Sequence, residues 1–370
     1  MKFTINRTLF IEKLEKASAT VDIKNSIPAL QGVLLDCNSA GMALMGSDGT
    51  ETVTLVTRFS VETGDCSEPG KVLFAAAPVL KIIKKFKSEF IGLEHSNNEL
   101  KIVENMKKQF SLCTMDHNEY PEIKIEAGED WVTINQDQFV DIANKTLHAI
   151  ALSDVRKILT GVSLQSVDDE FSCIATDSHR LARLHFDCTQ IAVAKDGEVV
   201  LPSKSLKTAL KLFNREPKLE MKLISDTQLQ MRGKSIIYQS RLLAGTYPDT
   251  SKLIPNTFKS DVQMDRVELK NTLEQLSAFS SSVKISSEEG EFINFKPQNS
   301  QVGTASVEIP CNQVEPFTLA CNVDYLLQAI QTIQGENIIM KIINNERPIV
   351  IVDADDKSST NTQLILPIRV

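Results

Sequence analysis

The sequence predicts an α+β fold made of three tandem domains of the same topology, each with two helices and an antiparallel sheet. Segments recur along the chain at a nearly constant spacing, which indicates internal repeats. Within each copy, several strands of period-two alternation accompany only two amphipathic helices. This combination is typical of helices that cover one face of an antiparallel sheet. The 370 residues are enough for two or three such domains.

The repeat is clearest between the first and second thirds of the chain. FTIN at residues 3–6 returns as VTIN at 132–135, and Asp48 returns as Asp177, each 129 residues later. Leu30 matches Leu159 at the same spacing, and two more pairs follow after a two-residue deletion is allowed: residues 72–86 with 199–213, and Tyr120 with Tyr247. Matches in one order at nearly one offset argue against chance.

A third copy is fainter. Asp265 stands where Asn6 and Asn135 stand, as a polar residue suited to cap the start of a helix. Residues 317–333 fall where the second helix of a copy belongs. The sequence therefore predicts three domains, at residues 1–125, 126–256 and 257–370.

Composition excludes several classes of protein. The net charge of −8 and the hydrophobic content of 42% are those of an acidic, folded chain. The start, MKFTINRTLFIEKL, lacks the apolar core of a signal peptide, and no apolar run approaches the ~18 residues of a membrane span. The seven scattered cysteines contain no C-x-x-C pair, and the histidines have no metal-ligand spacing. We expect a cytoplasmic protein with no membrane partner, no metal and no cofactor.

The second helix of the first two copies separates apolar from basic residues. The apolar stripes are Val79, Ile83, Phe86 and Phe90 in the first copy, and Leu206, Ala209, Leu210 and Phe213 in the second. The opposite faces carry six lysines, namely Lys81, Lys84 and Lys85, then Lys204, Lys207 and Lys211. A solvated helix face is the plain interpretation of either helix alone. Two equivalent basic helices in an acidic chain favour a surface that contacts the phosphates of duplex DNA without reading its sequence.

Asp177, Ser178 and His179 are adjacent and are the residue types of a hydrolytic triad. A triad needs the base close to the nucleophile and the acid behind the base. Neighbours in an extended segment point to opposite faces, and the G-x-S-x-G nucleophile motif is missing here. Asp48 in the first copy matches Asp177, which indicates a turn shared by the repeats. We therefore predict that the protein is not an enzyme, and a hydrolase that uses Ser178 and His179 stays the rival hypothesis.

Longer motifs carry a resemblance to a known family. The second copy contains DVRKILTGV (154–162) and ATDSHRLA (175–182), GTYPDTSKLIP (245–255) follows, and the chain runs from MKFTINR to LILPIRV. In this order they resemble the bacterial β sliding clamp family, the processivity subunit of DNA polymerase III, over the full length. The resemblance implies a DNA clamp fold in which each chain forms half of a closed ring. Two chains would join head to tail around duplex DNA as a homodimer, held by topology rather than by tight contact.

The resemblance also implies a pocket that binds short linear motifs of other proteins. The implied partners are the replicative polymerase, the clamp loader, repair polymerases, mismatch-repair proteins and ligase. One part of the pocket would consist of Leu159, Thr176, Ser178, His179, Arg180, Leu181, Pro248, Leu253, Leu364 and Leu366. The neighbouring part would consist of Arg156, Lys157, Ile158, Asn322, Tyr325, Pro367, Ile368 and Arg369. Leucines and prolines suit an apolar slot, and the arginines and the asparagine suit peptide carbonyls or a glutamine side chain.

Two further sets of residues follow from the resemblance. Lys24 and Ser153 match DNA-contacting positions, in addition to the six lysines, and Phe110 and Phe279 match apolar positions at the two ends of the half-ring. The chain departs from the family at Lys157 and Ile158, where some members have aromatic residues, and at Ser178, where glycine is common. The alternative to a ring is a repeat scaffold that binds protein peptides and never encircles DNA.

Overall fold

The computed structural model describes residues 1–122, 131–167, 170–187, 197–288, 290–356 and 360–368. Within them the chain forms six α-helices and 25 β-strands. The helices are α1 (Arg7–Ala17), α2 (Ala76–Ile83), α3 (Gln136–Thr146), α4 (Ser203–Leu212), α5 (Arg266–Ser277) and α6 (Val323–Gln331). Each predicted copy thus contains two helices among many strands, and the predicted α+β class is confirmed.

The strands follow the chain in three groups. The first group is β1 (Lys2–Asn6), β2 (Val33–Asn38), β3 (Gly41–Ser47), β4 (Glu51–Arg58), β5 (Gly64–Glu68), β6 (Gly70–Phe74), β7 (Phe90–Ser96), β8 (Glu99–Asn105) and β9 (Lys108–Cys113). The second is β10 (Val132–Asn135), β11 (Gly161–Val167), β12 (Glu170–Thr176), β13 (Arg180–Asp187), β14 (Glu198–Pro202), β15 (Lys218–Ser225), β16 (Gln228–Arg232) and β17 (Ile236–Arg241). The third is β18 (Ser260–Asp265), β19 (Ser282–Ser287), β20 (Gly290–Pro297), β21 (Val307–Val314), β22 (Phe317–Asn322), β23 (Asn337–Ile342), β24 (Ile349–Asp353) and β25 (Asn361–Ile365).

The helices begin where the sequence places capping residues. Asn6 accepts a hydrogen bond from the Leu9 backbone N–H at 3.2 Å at the start of α1. Asp265 accepts one from the Glu268 N–H at 2.7 Å at the start of α5. A short polar side chain satisfies an N–H group that the first turn of a helix leaves without a partner. The predicted capping role of Asn6 and Asp265 is therefore confirmed.

The chain divides into two compact units. The first unit contains residues 1–136 and 204–242. It holds a five-stranded sheet of order β5-β1-β7-β8-β9 and an eight-stranded sheet of order β10-β15-β16-β17-β4-β3-β2-β6. Strands of the first two sequence copies share the larger sheet, because β17 pairs antiparallel with β4. Helix α1 packs against α2 and on β3 and β4.

The second unit contains residues 137–203 and 243–370. It repeats this arrangement with an eight-stranded sheet of order β14-β11-β12-β13-β25-β24-β23-β18 and a four-stranded sheet of order β21-β20-β19-β22. Here β13 of the second copy pairs with β25 of the third, and α5 packs against α6. The ladders run across the junctions between copies, so the compact units differ from the sequence repeats. The domain limits at 125 and 256 stay a prediction.

Helix α2 is shorter than its apolar stripe predicted, because the stripe extends to Phe90. Helix α2 ends at Ile83, so Lys84 and Lys85 follow it and Phe90 starts β7. Val79, Ile83 and Phe86 are buried as predicted, whereas Phe90 is half-buried in the sheet. In the part of the chain that the structure describes, no helix is both long and apolar enough to cross a bilayer.

Candidate functional site

The turn between β12 and β13 forms the centre of the predicted peptide pocket. The Asp177 carboxylate accepts hydrogen bonds from the backbone N–H groups of His179 at 2.9 Å and Arg180 at 3.0 Å. The Thr176 hydroxyl donates to the Arg180 carbonyl at 2.6 Å and accepts from the Ser178 N–H at 3.2 Å. Ser178 has a φ of +77°, in the left-handed region that favours glycine.

Arg180 fixes this turn to helix α6. Its Nε donates to the Asp177 carboxylate at 2.9 Å, its guanidinium also donates to the Gln328 side-chain carbonyl, and its Cζ lies 4.2 Å from the centre of the Tyr325 ring. The side chain of Arg180 is only 12% exposed. All of these contacts are internal, so Arg180 and Tyr325 position the turn.

The same contacts argue against hydrolysis at this turn. In a triad the carboxylate would orient the histidine ring. Here the Asp177 carboxylate accepts from backbone N–H groups and from Arg180. Ser178 Oγ accepts a hydrogen bond from Arg156 at 2.7 Å. Asp177 therefore has a structural role in the turn, as predicted from its counterpart Asp48.

The predicted apolar residues fall into two groups by burial. Leu159, Leu181 and Leu364 are at most 4% exposed and belong to one core cluster with Ile158. The side chains with accessible apolar surface are Leu253, Leu366 and Ile368, which are exposed, and Pro248 and Pro367, which are half-buried. The first group supports the surface from below, and the second group provides apolar area that a peptide can contact.

The end of the chain is held against both halves of this surface. The Leu366 N–H donates to the His179 carbonyl at 2.9 Å, and the Ile368 N–H donates to the Ala320 carbonyl at 2.7 Å. Leu181 pairs with Leu364 in the β13–β25 ladder. The backbone at 366–368 thus forms one wall of the surface. Arg369, also predicted here, lies outside the described residues.

The polar side chains of the predicted pocket differ in exposure and in how many of their hydrogen-bonding groups are already used. Arg156 is 56% exposed, and besides Ser178 it contacts only the Asp154 carboxylate, at 3.5 Å, among the described residues. Lys157 and His179 are exposed. The Asn322 side-chain oxygen accepts from the Tyr325 N–H at 3.1 Å as the N-cap of α6, so only its NH₂ group remains for a peptide.

A histidine that the motifs did not single out lies beneath the turn. The His148 ring bonds the Gln363 side chain at 3.0 Å, and Gln363 donates to the Lys145 carbonyl at 3.1 Å. Burial, together with the nearby Arg180 guanidinium, lowers the pKa of His148 to about 4. The folded protein therefore keeps this imidazole neutral.

The six lysines of the two predicted basic faces are all exposed, but two of them form ion pairs that neutralise their charge. Lys84 pairs with Glu15 at 2.5 Å, and Lys204 pairs with Asp48 and, at 3.7 Å, with Glu51. Among the described residues no acidic group forms an ion pair with the other four, which are Lys81, Lys85, Lys207 and Lys211. The positive charge available to a phosphate is concentrated on these four lysines.

The remaining predicted positions lie in loops and at sheet edges. Lys24 and Ser153 are exposed in equivalent loops of the two copies. Next to them stand Ile23 and Leu152, which are 74% and 94% exposed and which the sequence reasoning missed. An aliphatic residue at the same place in two copies is the signal that could have revealed them.

Phe110 and Phe279 differ in exposure. Phe110 is 43% exposed on β9, an edge strand of its sheet, and packs on Phe86 with ring centres 5.7 Å apart. Phe279 follows α5 and is half-buried. An exposed aromatic residue on an open edge strand is suited to pairing with another chain.

Taken together, these features define a repeat protein that binds partners through surfaces. The described residues contain no group of three histidine, cysteine or acidic side chains placed to hold a metal. Binding groups rather than reacting groups are what this surface offers: accessible aliphatic side chains, an exposed arginine, and lysines without ion pairs among the described residues.

Comparison with known proteins identifies the family. The models of the N-terminal, central and C-terminal domains of the DNA polymerase III beta subunit match residues 1–124, 133–249 and 251–369. The beta sliding clamp of Bacillus subtilis is 29% identical over 100% of both chains, and that of Streptococcus pneumoniae is 27% identical over 99% of both. The chain belongs to the DNA polymerase III beta subunit family.

Solved structures agree with this assignment. The DNA polymerase III beta chain of Streptococcus pneumoniae superposes with a TM-score of 0.93 at 26% identity, covering 100% of both chains. The DNA polymerase sliding clamp of Bacillus subtilis has a TM-score of 0.93 at 27% identity, covering 100% of this chain and 99% of the other. The predicted three tandem clamp domains are confirmed, the function is that of a DNA sliding clamp, and the family is not enzymatic.

Proposed function

We propose that two copies of this chain close a ring around duplex DNA and hold the replicative polymerase on it. The carrying observation is the match of three clamp-domain models along the whole chain. Encirclement explains how a chain of net charge −8 serves DNA, because topology rather than affinity retains it. A protein that acts on the bacterial chromosome works in the cytoplasm, and we infer that location.

We further propose that Lys81, Lys85, Lys207 and Lys211 provide the weak phosphate contacts. Their freedom from acidic partners among the described residues supports this choice over Lys84 and Lys204. Lysine contacts to phosphates are salt-dependent and carry no sequence information, which suits a protein that slides.

The surface around the 176–180 turn is the proposed docking site for short linear motifs. Leu253, Leu366 and Ile368 offer apolar contacts, and Arg156 offers donors for peptide carbonyls. The proposed owners of such motifs are the replicative polymerase, the clamp loader, repair polymerases, mismatch-repair proteins and ligase. The proposed ring contacts are edge strand β9 with Phe110, at one end of the half-ring, and Phe279, at the other.

The test is retention on DNA of two topologies. The clamp is loaded by its cognate loader and ATP onto nicked circles, half of the sample is linearised, and both halves are filtered at moderate salt. We expect the protein to stay on circles and to leave linear DNA. Equal retention on both would favour a scaffold that does not encircle DNA, and no retention on either would contradict the loading step.

Paired variants then test the lysine assignment. The Lys207→Gln/Lys211→Gln variant should slide off linear DNA faster and load less well. Lys204→Gln, which removes one charge from the same helix, should change DNA behaviour much less, because its charge is already neutralised by Asp48 and Glu51. An equal effect of Lys204→Gln would refute the assignment.

A further inference from the structure

The first unit contains a cavity of about 390 Å³ at the junction of β4, β16 and β17. Leu30, Pro121 and Ile224 form its apolar part, and the other lining side chains used below are Thr52, Gln239 and Arg241. Leu30 and Pro121 are the sequence counterparts of Leu159 and Pro248 in the repeat. The cavity therefore occupies, in the first unit, the place that the proposed peptide site occupies in the second.

The backbone at the two places is the same in detail. The Ser47 hydroxyl donates to the Glu51 carbonyl at 2.9 Å and accepts from the Gly49 N–H at 3.1 Å, as Thr176 does in its own turn. The Asp48 carboxylate accepts from the N–H groups of Thr50 and Glu51, both at 2.7 Å. Gly49 has a φ of +91°, in the same left-handed region as Ser178. The first unit thus builds the same turn.

The neighbouring strand is also in the same register. The Arg241 N–H donates to the Thr50 carbonyl at 2.9 Å, and Gln239 pairs with Thr52. In the second unit Leu366 donates to the His179 carbonyl at 2.9 Å, and Leu364 pairs with Leu181. In this register, three apolar residues of the second unit have polar counterparts in the first unit. Leu181 corresponds to Thr52, Leu364 to Gln239, and Leu366 to Arg241.

Two amide side chains on this sheet have buried polar atoms without hydrogen-bond partners among the described residues. Gln239 Nε2 donates to Gln228 Oε1 at 2.9 Å, whereas its own Oε1 is buried with no partner within the described residues. Gln230 is fully buried, and neither its Oε1 nor its Nε2 has a partner among those residues. Gln230 pairs directly with Gln239, so both side chains lie on one face of the sheet. An unpartnered buried amide atom is costly, and of these two side chains only Gln239 lines the cavity, so Gln239 is the one that a polar ligand reaches.

We propose that this cavity is a second docking pocket, for an extended polar peptide segment that carries a carboxylate side chain. Glu122 also lines the cavity, but Arg241 is exposed and forms no ion pair with it or with any other described residue, so the guanidinium is available to the carboxylate. The Gln239 side chain lines the cavity beside Arg241, and the aliphatic part of the segment contacts Pro121 and Ile224. The assignment of a peptide as the ligand rests on the proposed function of the equivalent site in the second unit.

The experiment uses methyl NMR of the full-length protein with two acetylated, amidated pentapeptides as probes. One has the sequence Gly-Ser-Glu-Ser-Gly, and the other has glutamine in place of glutamate. Ile224 reports on the cavity, and Ile368 reports on the proposed site of the second unit. We expect the glutamate peptide to shift Ile224 saturably, without shifting Ile368, and to bind at least about tenfold more tightly than the glutamine peptide.

Two variants complete the experiment. Arg241→Gln should abolish the preference for glutamate, whereas Lys218→Gln, which removes a charge from β15 of the same sheet outside the cavity lining, should keep it. The absence of a saturable Ile224 shift, or an unchanged preference in Arg241→Gln, would overturn the proposal. A tail peptide of the cognate polymerase is titrated separately. If it fails to shift Ile368 while the glutamate peptide shifts Ile224, the proposed function of the second unit fails and this pocket stands.

Discussion

Arg180 and Arg156 both contact the 176–180 turn, and the structure predicts opposite consequences of removing them. Arg180 is 12% exposed and binds Asp177, whose side chain is 13% exposed. Arg180→Ala would leave that carboxylate with little solvent and no cation, and would also remove the contacts with Gln328 and the Tyr325 ring. Breaking a buried pair by removing one partner costs about 3–5 kcal/mol, and residual solvent access places this pair near 3 kcal/mol.

Arg156→Ala is the matched control. The Arg156 side chain is 56% exposed, so its contacts with Asp154 and Ser178 each contribute less than about 1 kcal/mol, and stability should change far less than in Arg180→Ala. Its free donors should matter for the ligand instead, and the affinity for a polymerase tail peptide should fall about tenfold.

The assay pairs urea unfolding with hydrogen exchange of the Leu366 amide, which bonds the His179 carbonyl. Peptide affinity is measured in parallel by fluorescence anisotropy. Arg180→Ala should lower the unfolding midpoint and speed exchange at Leu366, and Arg156→Ala should do neither. If Arg180→Ala were as stable as Arg156→Ala, the positioning role of Arg180 would be refuted.

Three further predictions use other features of the chain. Because the pKa of His148 is about 4 when folded and about 6.5 when unfolded, the stability from keeping it neutral is present above pH 6.5 and is lost as the pH falls from 6.5 towards 4. The parent should lose about 2 kcal/mol more than His148→Gln between pH 7 and pH 5 in urea titrations, and equal losses would exclude His148 as the cause. Ser178→Gly should raise stability by about 0.5–1 kcal/mol through relief of the positive φ, and a lower unfolding midpoint would mean that the Arg156 bond to Ser178 outweighs the strain. Phe110→Asp or Phe279→Asp should sediment as monomers, with the exposed Val61→Asp as a dimeric control, and a dimer in either phenylalanine variant would place the ring contact elsewhere.

Local sequence predicted the elements well, because short-range chemistry decides them. Asn6 and Asp265 cap helices, and of the stripe predicted on α4, Leu206, Ala209 and Phe213 are buried, whereas Leu210 is half-buried. The compact units could not be predicted in the same way. They arise from ladders such as β17–β4, which join residues far apart in sequence and cross the junctions between repeats.

The same limit applies to the charge of the basic faces. The six lysines look equivalent by helical spacing, yet Lys204 meets an aspartate 156 positions away in sequence and Lys84 meets a glutamate of α1. The amphipathic pattern predicted that the six lysines are exposed. It could not predict which of them are neutralised, because that depends on the strand or helix that packs beside each lysine.

The cavity of the first unit and the surface around the 176–180 turn of the second show what the sequence repeat can and cannot predict. The alignment of the first two copies predicts a common turn, since Asp48 and Asp177 match and both carboxylates bind the next N–H groups. It does not predict what faces the turn, because the facing strand comes from the following copy, and the third copy aligns too weakly to fix its register. The pairing of β17 with β4 places Gln239 opposite Thr52. At the equivalent position, the pairing of β25 with β13 places Leu364 opposite Leu181. Only these strand pairings reveal the difference. The backbone of the repeat therefore builds the same turn at both junctions, and three facing side chains distinguish the two proposed docking sites.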